Sequence, residues 1–446
     1  MFVTVVFFGG VKLKKGNPWA LLPLIIFLGL FLGSGIITGD FYKMPILVAV
    51  IIAAAAALLM NRKDKLTIKI ERFAKGSGHI DIMIMVFIFM LAGAFSETAS
   101  GMGAVESTVN LALSVLPQSL LVVGLFIIAA FVSLSMGTST GTIAALAPIS
   151  VGISSETELS AVLCVAAVVG GSMFGDNLSI ISDTTIAAVR TQGTEMKDKF
   201  KVNFLIVLPA AVITSIILFA LTLGGQSEIT IEAYNWVKIL PYLGVLIAAL
   251  LGLNVLMVLA GGTLLAGIIG LADGSYTLPG FLQSVTEGIM GMAELVILTI
   301  IIGGMVELIR YNGGIDWLLH NMTRNMKTKK GAELGIAGLV SATNLSTANN
   351  TISIIAAGPL AKNIAEKYKI DSRKSASLLD IFSCSVQGII PYGAQVLAAA
   401  QIAKVSPISL VPYSIYPILL AVCGIIAIFI DFPKLKARNN KSLENS

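Results

Sequence analysis

Two aspartates stand out because they lie within a long apolar stretch of the chain. Asp176 and Asp183 belong to the run Gly175-Asp-Asn-Leu-Ser-Ile-Ile-Ser-Asp-Thr-Thr185. A carboxylate near the centre of a bilayer costs about 2.5–3.5 kcal/mol on insertion scales. Two such residues, spaced to share one face of an unbroken helix, therefore predict a functional site. The alternative is structural, because Asp183 with Thr184 behind it can cap the start of a helix.

The chemistry that suits these carboxylates is competition between a proton and a small metal cation. Loss of water favours the protonated carboxyl group, whereas a neighbouring cation favours the ionised form. A site that holds either ligand but not both is the simplest physical basis for cation/proton exchange. Hydroxyl and amide oxygens are hard ligands that complete such a site. We therefore predict that Asp176 and Asp183 bind the metal cation together with six further residues, Ser135, Thr138, Asn177, Ser179, Ser182 and Thr184.

A second polar cluster, within residues 341–351, is the counterpart of the first in the second half of the chain. Its hydroxyl and amide side chains also fall in an apolar region, where polar groups are costly unless they pair or line a cavity. We predict that Asn344, Thr347 and Asn350 face the first-half ligands across the site.

Four further residues are weaker candidates: Glu97, Glu294, Glu307 and Gln387. Glu294 suits a proton carrier or an internal ion pair, because it lies deep in an apolar run. Glu97 and Glu307 lie near the ends of such runs, where a wetted interface explains them equally well. Asp380 is expected to pair with Arg373 or Lys374 near the membrane surface.

The composition indicates a membrane protein. The chain has 446 residues, of which 56% are hydrophobic and 12% charged, and its mean hydropathy is +0.90. Soluble domains carry about 25% charged residues, so an ordinary soluble enzyme is excluded. The long apolar runs favour a polytopic all-α protein over an outer-membrane barrel. No nucleotide-binding loop, catalytic motif or CxxC pair is present, so neither a cofactor nor an enzymatic activity is expected.

Twelve apolar segments are candidate membrane spans. They cover about 19–38, 43–61, 80–98, 119–153, 159–190, 202–223, 237–252, 254–272, 285–309, 334–361, 375–404 and 406–430. Basic residues cluster in the loops 62–75, 190–201, 324–330 and 362–374 and in the tail, so these are predicted to be cytoplasmic. The net charge of +5 follows from these loops and does not indicate nucleic-acid binding. Both termini are then cytoplasmic.

This topology closes only if four segments are irregular. Segments 119–153 and 334–361 must be hairpins, and segments 159–190 and 375–404 must each be a broken helix. The breaks are predicted at Gly175-Asp176-Asn177 and between Gln387 and Gly393.

The two halves then match in order, and they predict two inverted-topology repeats, each with a hairpin and a broken transmembrane helix. The predicted organisation is an N-terminal interfacial stub at 1–18, repeats at 19–223 and 237–430, and a tail at 431–446. Chance similarity between Gly-rich apolar segments is the alternative.

The motif from Gly171 to Thr185 resembles the NhaC-type Na⁺/H⁺ antiporters of the ion-transporter superfamily. The resemblance covers residues 119–220 and is looser in the second half. It implies a bacterial inner-membrane secondary transporter with hairpins and broken helices. It also places six residues on the family's motif, namely Asp176, Asn177, Ser179, Ser182, Asp183 and Thr184. Ile180 departs from the pattern, because many members have proline there.

These observations favour Na⁺/H⁺ exchange across the cytoplasmic membrane by alternating access. The alternative is Na⁺- or H⁺-coupled transport of an amino acid or small carboxylate through the same ion site, since the family includes carriers of organic solutes. A channel or a membrane-embedded enzyme is a third hypothesis, although no paired nucleophile and base is visible. Li⁺ as a substrate and a homodimer remain open at this level.

Overall fold

The structure is a computed structural model that describes residues 16–38, 44–115, 117–180, 182–223, 233–322 and 328–435. In these ranges the chain forms helices and no β-strand, which confirms the all-α fold class. Most of the predicted stub, residues 1–15, and the tail beyond Leu435 lie outside the described residues.

The first half of the chain contains α1 (Leu22–Thr38), α2 (Ile46–Leu59), α3 (Leu66–Ser77), α4 (Ile80–Gly101), α5 (Ala104–Val115), α6 (Gln118–Met136), α7 (Ser139–Ser155), α8 (Ala161–Leu178), α9 (Asp183–Gln192) and α10 (Met196–Thr222). The second half contains α11 (Trp236–Leu250), α12 (Val255–Ala272), α13 (Leu278–Gly291), α14 (Ala293–Tyr311), α15 (Gly314–Met322), α16 (Lys329–Thr347), α17 (Asn350–Lys367), α18 (Ser372–Gln387), α19 (Ala394–Ala403), α20 (Pro407–Leu410) and α21 (Ile415–Phe429).

Several helices are long and apolar enough to span a membrane. Among the described residues five runs qualify alone, namely Ile80–Gly101, Ser119–Met136, Ala161–Gln192, Met196–Thr222 and Val255–Ala272. Two bent pairs raise this to seven: α13 with α14, bent by 40°, and α19 with the segment Pro407–Tyr413, bent by 107°. The predicted span 285–309 is therefore part of a bent pair. The other predicted spans contain shorter helices or interrupted ones.

Each predicted hairpin is a pair of helices joined by a two-residue turn. Gly137 ends α6 in the left-handed region, with φ of 70°, and Thr138 caps α7 by accepting the Gly141 N–H. At the corresponding turn, Ala348 ends α16 with φ of 50°, and Asn349 accepts the Ile352 N–H. The side chains that cap these turns satisfy N–H groups at the helix starts, which have no partner within the helix.

The first broken helix is interrupted later than predicted. Gly175, Asp176 and Asn177 form the last turn of α8, and the unwound residues follow Leu178. The Ser179 N–H still bonds to the carbonyl oxygens of Gly175 and Asp176, so the polar residues do not interrupt the helix. In the second half, α18 ends at Gln387 and α19 begins at Ala394, where the break was predicted.

Three short helices, α3, α5 and α15, were not predicted. The α3 segment has the basic and apolar residues Leu-Thr-Ile-Lys-Ile-Glu-Arg-Phe. Because only one of its faces is apolar, the segment contains no long run of apolar residues that would mark it in the sequence. Its end nonetheless packs closely on α14, where a Cβ atom at Gly76 would collide with the Gly303 carbonyl oxygen.

Equivalent positions around the helix interruptions of the two halves are separated by the same number of residues along the chain. Met173 and Cys384 are 211 residues apart, and the Cys384 thiol donates to the Met173 carbonyl oxygen. The same separation relates the left-handed residues Gly137 and Ala348. It also relates the starts of α9 and α19. This recurrence supports an internal repeat, whereas the inverted orientation of the halves and their bounds at 19–223 and 237–430 stay predictions.

The two halves interlock at the broken helices. In the first half, α8 packs closely on α6, because Gly171 and Gly175 leave room for the carbonyl oxygens of Phe126 and Ala130. The second-half helix α19 packs on α7 and α8, and the first-half helix α9 packs on α17 and α18. The unwound residues of both halves are thereby brought to one place.

Candidate functional site

A cavity of about 90 Å³ lies where the interrupted helices of both halves meet. The turns that follow α6 and α16 line it, together with the end of α8 and the starts of α9 and α19. Four residues of α4 close one side, namely Asp81, Ile84, Met85 and Ile88. A volume of this size has room for about three water molecules.

Asp176 is the buried carboxylate of this cavity, with 4% of its surface exposed. Its Oδ1 accepts a hydrogen bond from the Ser182 hydroxyl, and its Oδ2 accepts one from the Ser139 hydroxyl at 3.0 Å. Ser182 in turn lies 2.9 Å from the hydroxyl oxygen of Thr184. Among the described residues, the carboxylate accepts hydrogen bonds only from hydroxyl groups, which can donate to it or present lone pairs to a bound cation.

Asp183 lies at the exposed side of the cavity, as the first residue of α9. The helix break separates it from Asp176, yet both line the same cavity. The residue at the N-cap position is Ser182, whose hydroxyl bonds to Asp176 and makes no capping bond. Asp81 of α4 lines the cavity too, and it lies 3.5 Å from Nδ1 of His79.

A line of hydrogen bonds crosses the cavity from one half to the other. Gln395 of α19 donates through Nε2 to the Ser139 hydroxyl oxygen at 3.0 Å. Its Oε1 accepts from Nε2 of Gln387 at 2.9 Å, and the same Gln387 nitrogen donates to the Ala348 carbonyl oxygen at 3.0 Å. Asp176 is thereby connected to the broken helix of the second half.

The structure brings seven of the predicted site residues to this cavity: Thr138, Asp176, Ser182, Asp183, Thr184, Asn350 and Gln387. The other predicted residues lie outside its lining. Asn344 donates to the Ser383 carbonyl oxygen, and the Thr347 hydroxyl donates to the carbonyl oxygen of Asn349. Ser135 is half-buried near the end of α6, and Ser179 is buried in the break after α8.

The weaker glutamate candidates lie away from the cavity. Glu97 is exposed on α4. Glu307 lies 3.4 Å from the Arg310 guanidinium on the same helix. Glu294 lines a different cavity, of about 240 Å³, with apolar residues of α14 and α19.

Asn177 belongs to a second buried polar cluster, centred on Lys199 and Asp380. The two charged side chains are 1% and 0% exposed, and Lys199 Nζ lies 2.7 Å from Asp380 Oδ2. Lys199 also donates to the Asn177 carbonyl oxygen and to the Thr185 hydroxyl oxygen. Asn177 and Asn203 both donate to Asp380. The cluster ties the end of α8 to α9, α10 and α18.

The expected partners of Asp380 were therefore wrong. Arg373 pairs with Asp371, and Lys374 pairs with Glu333 at 3.0 Å. Lys199 was overlooked because it stands in a basic stretch, Lys-Asp-Lys-Phe-Lys, that is typical of a cytoplasmic loop. Its burial follows from the packing of α10 on α18, which no local pattern reveals.

Several polar cavity residues were also missed, among them Ser139, Gln395 and Asp81. Ser139 and Gln395 stand in segments already singled out as polar, so their sequence signal was present. Asp81 stands at the start of α4, beside His79, and it resembles an interfacial residue in sequence. Only the packing of α4 over the helix breaks brings it to the cavity.

The charge of the cavity lining has one sign. Its ionisable residues, among those that the structure describes, are the three aspartates Asp81, Asp176 and Asp183, and no Lys, Arg or His lines it. Within the described ranges, no three His, Cys, Asp or Glu side chains come close enough together to hold a metal ion. The lining instead offers carboxylate, hydroxyl and amide oxygens, which suit alkali-metal cations.

An all-helical membrane protein with interrupted helices around a buried carboxylate has the architecture of a secondary transporter. The chain belongs to the Na⁺/H⁺ antiporter family, whose model matches residues 24–223 and 225–432. Families of this kind contain transporters and not enzymes. The protein is therefore a multi-pass transporter of the bacterial inner membrane.

Two curated relatives cover most of the chain. The Na(+)/H(+) antiporter NhaC of Bacillus subtilis is 25% identical over 88% of this chain and 92% of its own length. The Malate-2H(+)/Na(+)-lactate antiporter of the same organism is 21% identical over 88% of this chain and 91% of its own. Among solved structures, the Alcanivorax borkumensis YdaH transporter is 14% identical, covers 84% of this chain and 91% of its own, and has a TM-score of 0.44.

Proposed function

We propose that this protein exchanges Na⁺ for H⁺ across the cytoplasmic membrane, and that the cavity around Asp176 is the site where the two ions compete. The observation that carries this proposal is the charge of the lining, which contains three carboxylates and no basic residue among its described members. Such a cavity attracts cations and repels anions. Its volume of about 90 Å³ suits a cation with a few waters.

The exchange follows from the hydroxyl groups that hold Asp176. When Asp176 is ionised, the hydroxyls of Ser139 and Ser182 donate hydrogen bonds to its carboxylate. When Na⁺ arrives, these hydroxyl oxygens present lone pairs to the cation, and Thr138, Thr184 and Asp183 supply further oxygens from the cavity wall. When a proton binds Asp176 instead, the negative charge that holds the cation is lost. One carboxylate therefore carries either ion, but not both at once.

We assign the conformational change that switches the cavity from one side of the membrane to the other to the interrupted helices. Unwound backbone can rearrange without breaking a continuous ladder of helix hydrogen bonds. The breaks after α8 and α18 both adjoin the cavity, so a shift of either would open the cavity to a different side. Asp81 and Asp183, at its exposed side, are the residues that a cation would meet first.

Coupled transport of a small organic acid is the second candidate, because one curated relative is named for malate and lactate. A carboxylate solute would need a cationic partner or a cluster of N–H donors. The described lining offers the amide groups of Asn349, Asn350, Gln387 and Gln395, but no guanidinium or ammonium group. This absence makes the cation alone the better-supported substrate.

The test uses purified protein in liposomes that contain a trapped pH dye. Addition of NaCl should drive proton movement in the wild type, and Asp176→Asn should abolish it while the protein remains folded. Asp273→Asn is the matched control, because Asp273 lies in an exposed turn after α12 and should leave the rate unchanged. Wild-type rates in Asp176→Asn would overturn the site.

The same liposomes test the alternative. LiCl, KCl and a panel of amino acids and carboxylates are added in turn, with and without Na⁺. Proton movement that requires one particular solute would transfer the assignment to an organic-solute carrier.

A further inference from the structure

The hydrogen bonds that cross the cavity have a direction, and one backbone atom sets it. The carbonyl oxygen of Ala348 can only accept, so the side-chain group of Gln387 that contacts it at 3.0 Å must be the NH₂ group. That nitrogen also faces Gln395 at 2.9 Å, so Gln395 must present its oxygen there. The Gln395 NH₂ group consequently faces Ser139 and donates to its hydroxyl oxygen.

This direction fixes two groups on opposite sides of the cavity. Both N–H groups of Gln387 donate, to Ala348 and to Gln395. Its Oε1, which can only accept, has no partner among the described residues, although the residue is only 1% exposed. Ser139 accepts from Gln395, so its own proton points at Asp176. Among the described residues, Gln395 is the side chain that hydrogen-bonds to both Gln387 and Ser139.

We infer that Gln395 is a positioning residue that orients the oxygen ligands of Gln387 and Ser139 toward the transported cation. The inference rests on the proposed function and deepens it. A small cation loses water on entering the cavity, and fixed oxygens compensate for that loss only at the right distance. Gln395 therefore sets the affinity for Na⁺ and the preference for Na⁺ over Li⁺, without itself being required to touch the ion.

The test replaces Gln395 with methionine, which keeps the length of the side chain and removes both polar atoms. In the liposome assay, Gln395→Met should raise the half-saturating Na⁺ concentration about tenfold. It should also change the ratio of half-saturating Na⁺ to Li⁺ concentrations by about threefold or more, and leave the maximal rate within about twofold.

Gln401→Met is the matched control on the same helix. Gln401 also donates through its amide, to the Gly291 carbonyl oxygen, but it lines the separate cavity beside Glu294. It should leave the half-saturating Na⁺ concentration and the cation ratio as in the wild type. A change in the cation ratio equal to that of Gln395→Met would mean a general effect on α19 and would overturn the inference.

A double variant tests whether Gln395 affects Na⁺ affinity through its hydrogen bond to Ser139. If Gln395 acts by orienting ligands, its replacement in a Ser139→Ala background should raise the half-saturating concentration less than it does in the wild type. Gln395→Glu supplies an independent measurement, because its carboxylate only accepts and draws the Ser139 proton away from Asp176. It should also change the Na⁺ to Li⁺ ratio.

The outcomes separate the two proposals. Absence of Na⁺-driven proton movement in the wild type, or its persistence in Asp176→Asn, would overturn both. Normal exchange in the wild type, its loss in Asp176→Asn, and an unchanged affinity and cation ratio in both Gln395 variants would overturn the role of Gln395 alone.

Discussion

Two buried carboxylates in this protein are accommodated in opposite ways. Asp176 lines a cavity and bonds to hydroxyl groups, which can exchange their role as donors for a role as ligands. Asp380 is sealed against Lys199 and bonds to the amides of Asn177 and Asn203. The first environment suits a group whose partner changes during a cycle. The second suits an ion pair that persists and stabilises the helix break after α8, because leaving either buried charge unpaired is costly.

The stabilising role of this ion pair is tested by removing one of its two charges. Lys199→Met leaves Asp380 buried without its cation, and such a change costs about 3–5 kcal/mol. We expect a large drop in the thermal unfolding temperature of the purified protein in detergent. Lys199→Met combined with Asp380→Leu should recover part of that drop, because neither charge is then left unpaired.

Lys238→Met is the matched control for this prediction. Lys238 and Asp273 lie 3.7 Å apart, and their side chains are 27% and 24% exposed. Pairs with this degree of exposure contribute about 0–1 kcal/mol. An equal drop for Lys199→Met and Lys238→Met would show that the buried pair does not hold the helix break.

Among the elements, the contact between α6 and α8 depends on glycine. Gly171 lies directly beside the Phe126 carbonyl oxygen, and Gly175 lies beside that of Ala130. Two small residues four apart let helix backbones approach closely in a membrane, where packing takes over from the hydrophobic effect. This approach holds α8, and with it Asp176, against the turn between α6 and α7.

Gly171→Ala tests this contact. The added methyl group would collide with the Phe126 carbonyl oxygen, so α6 and α8 must separate. Overpacking of this kind typically costs about 1–3 kcal/mol, and we expect a lower unfolding temperature.

The control is Gly261→Ala in α12, where no atom of the described residues outside the helix's own adjacent backbone lies within 4 Å of the added methyl group. That change should be neutral or slightly stabilising, because alanine favours a helix more than glycine does. A similar loss of stability in both variants would argue against close packing at Gly171.

At the scale of the whole molecule, the two halves contribute equivalent pieces to one cavity. The turns Gly137–Thr138 and Ala348–Asn349 both line it, as do Asp176 and Gln387 at matching positions. The lining is therefore symmetric in position and asymmetric in charge, because the carboxylate of the first half faces an amide in the second. The predicted inverted repeats would place this cavity on their boundary, the position from which a transporter site opens alternately on either side.

The orientation of the molecule is tested by its tail. The basic loops predict that residues 431–446 are cytoplasmic. A C-terminal green fluorescent protein should therefore fluoresce in cells, and a C-terminal alkaline phosphatase should be inactive. The reverse result would invert the topology, because one end fixes the sidedness of every loop once the spans are known.

The sequence by itself determined the fold class, and it singled out segments that line the candidate cavity. Apolar length and low charge require membrane helices, and Asp176 is conspicuous because a carboxylate is costly there. The recurring polar runs near Thr138 and Asn350 pointed to the two turns, one from each half, that line the cavity. These conclusions depend on local composition, which a single sequence carries in full.

Only the tertiary structure decided which polar residues meet. Asn177 and Asp176 are neighbours in sequence, yet one bonds to Asp380 and the other lines the cavity. The pairing of Lys199 with Asp380, and the contact of Gln395 with Ser139, depend on how α10 and α19 pack across the halves. The partner of a side chain is set by helix packing over long chain separations, and local spacing carries no record of it.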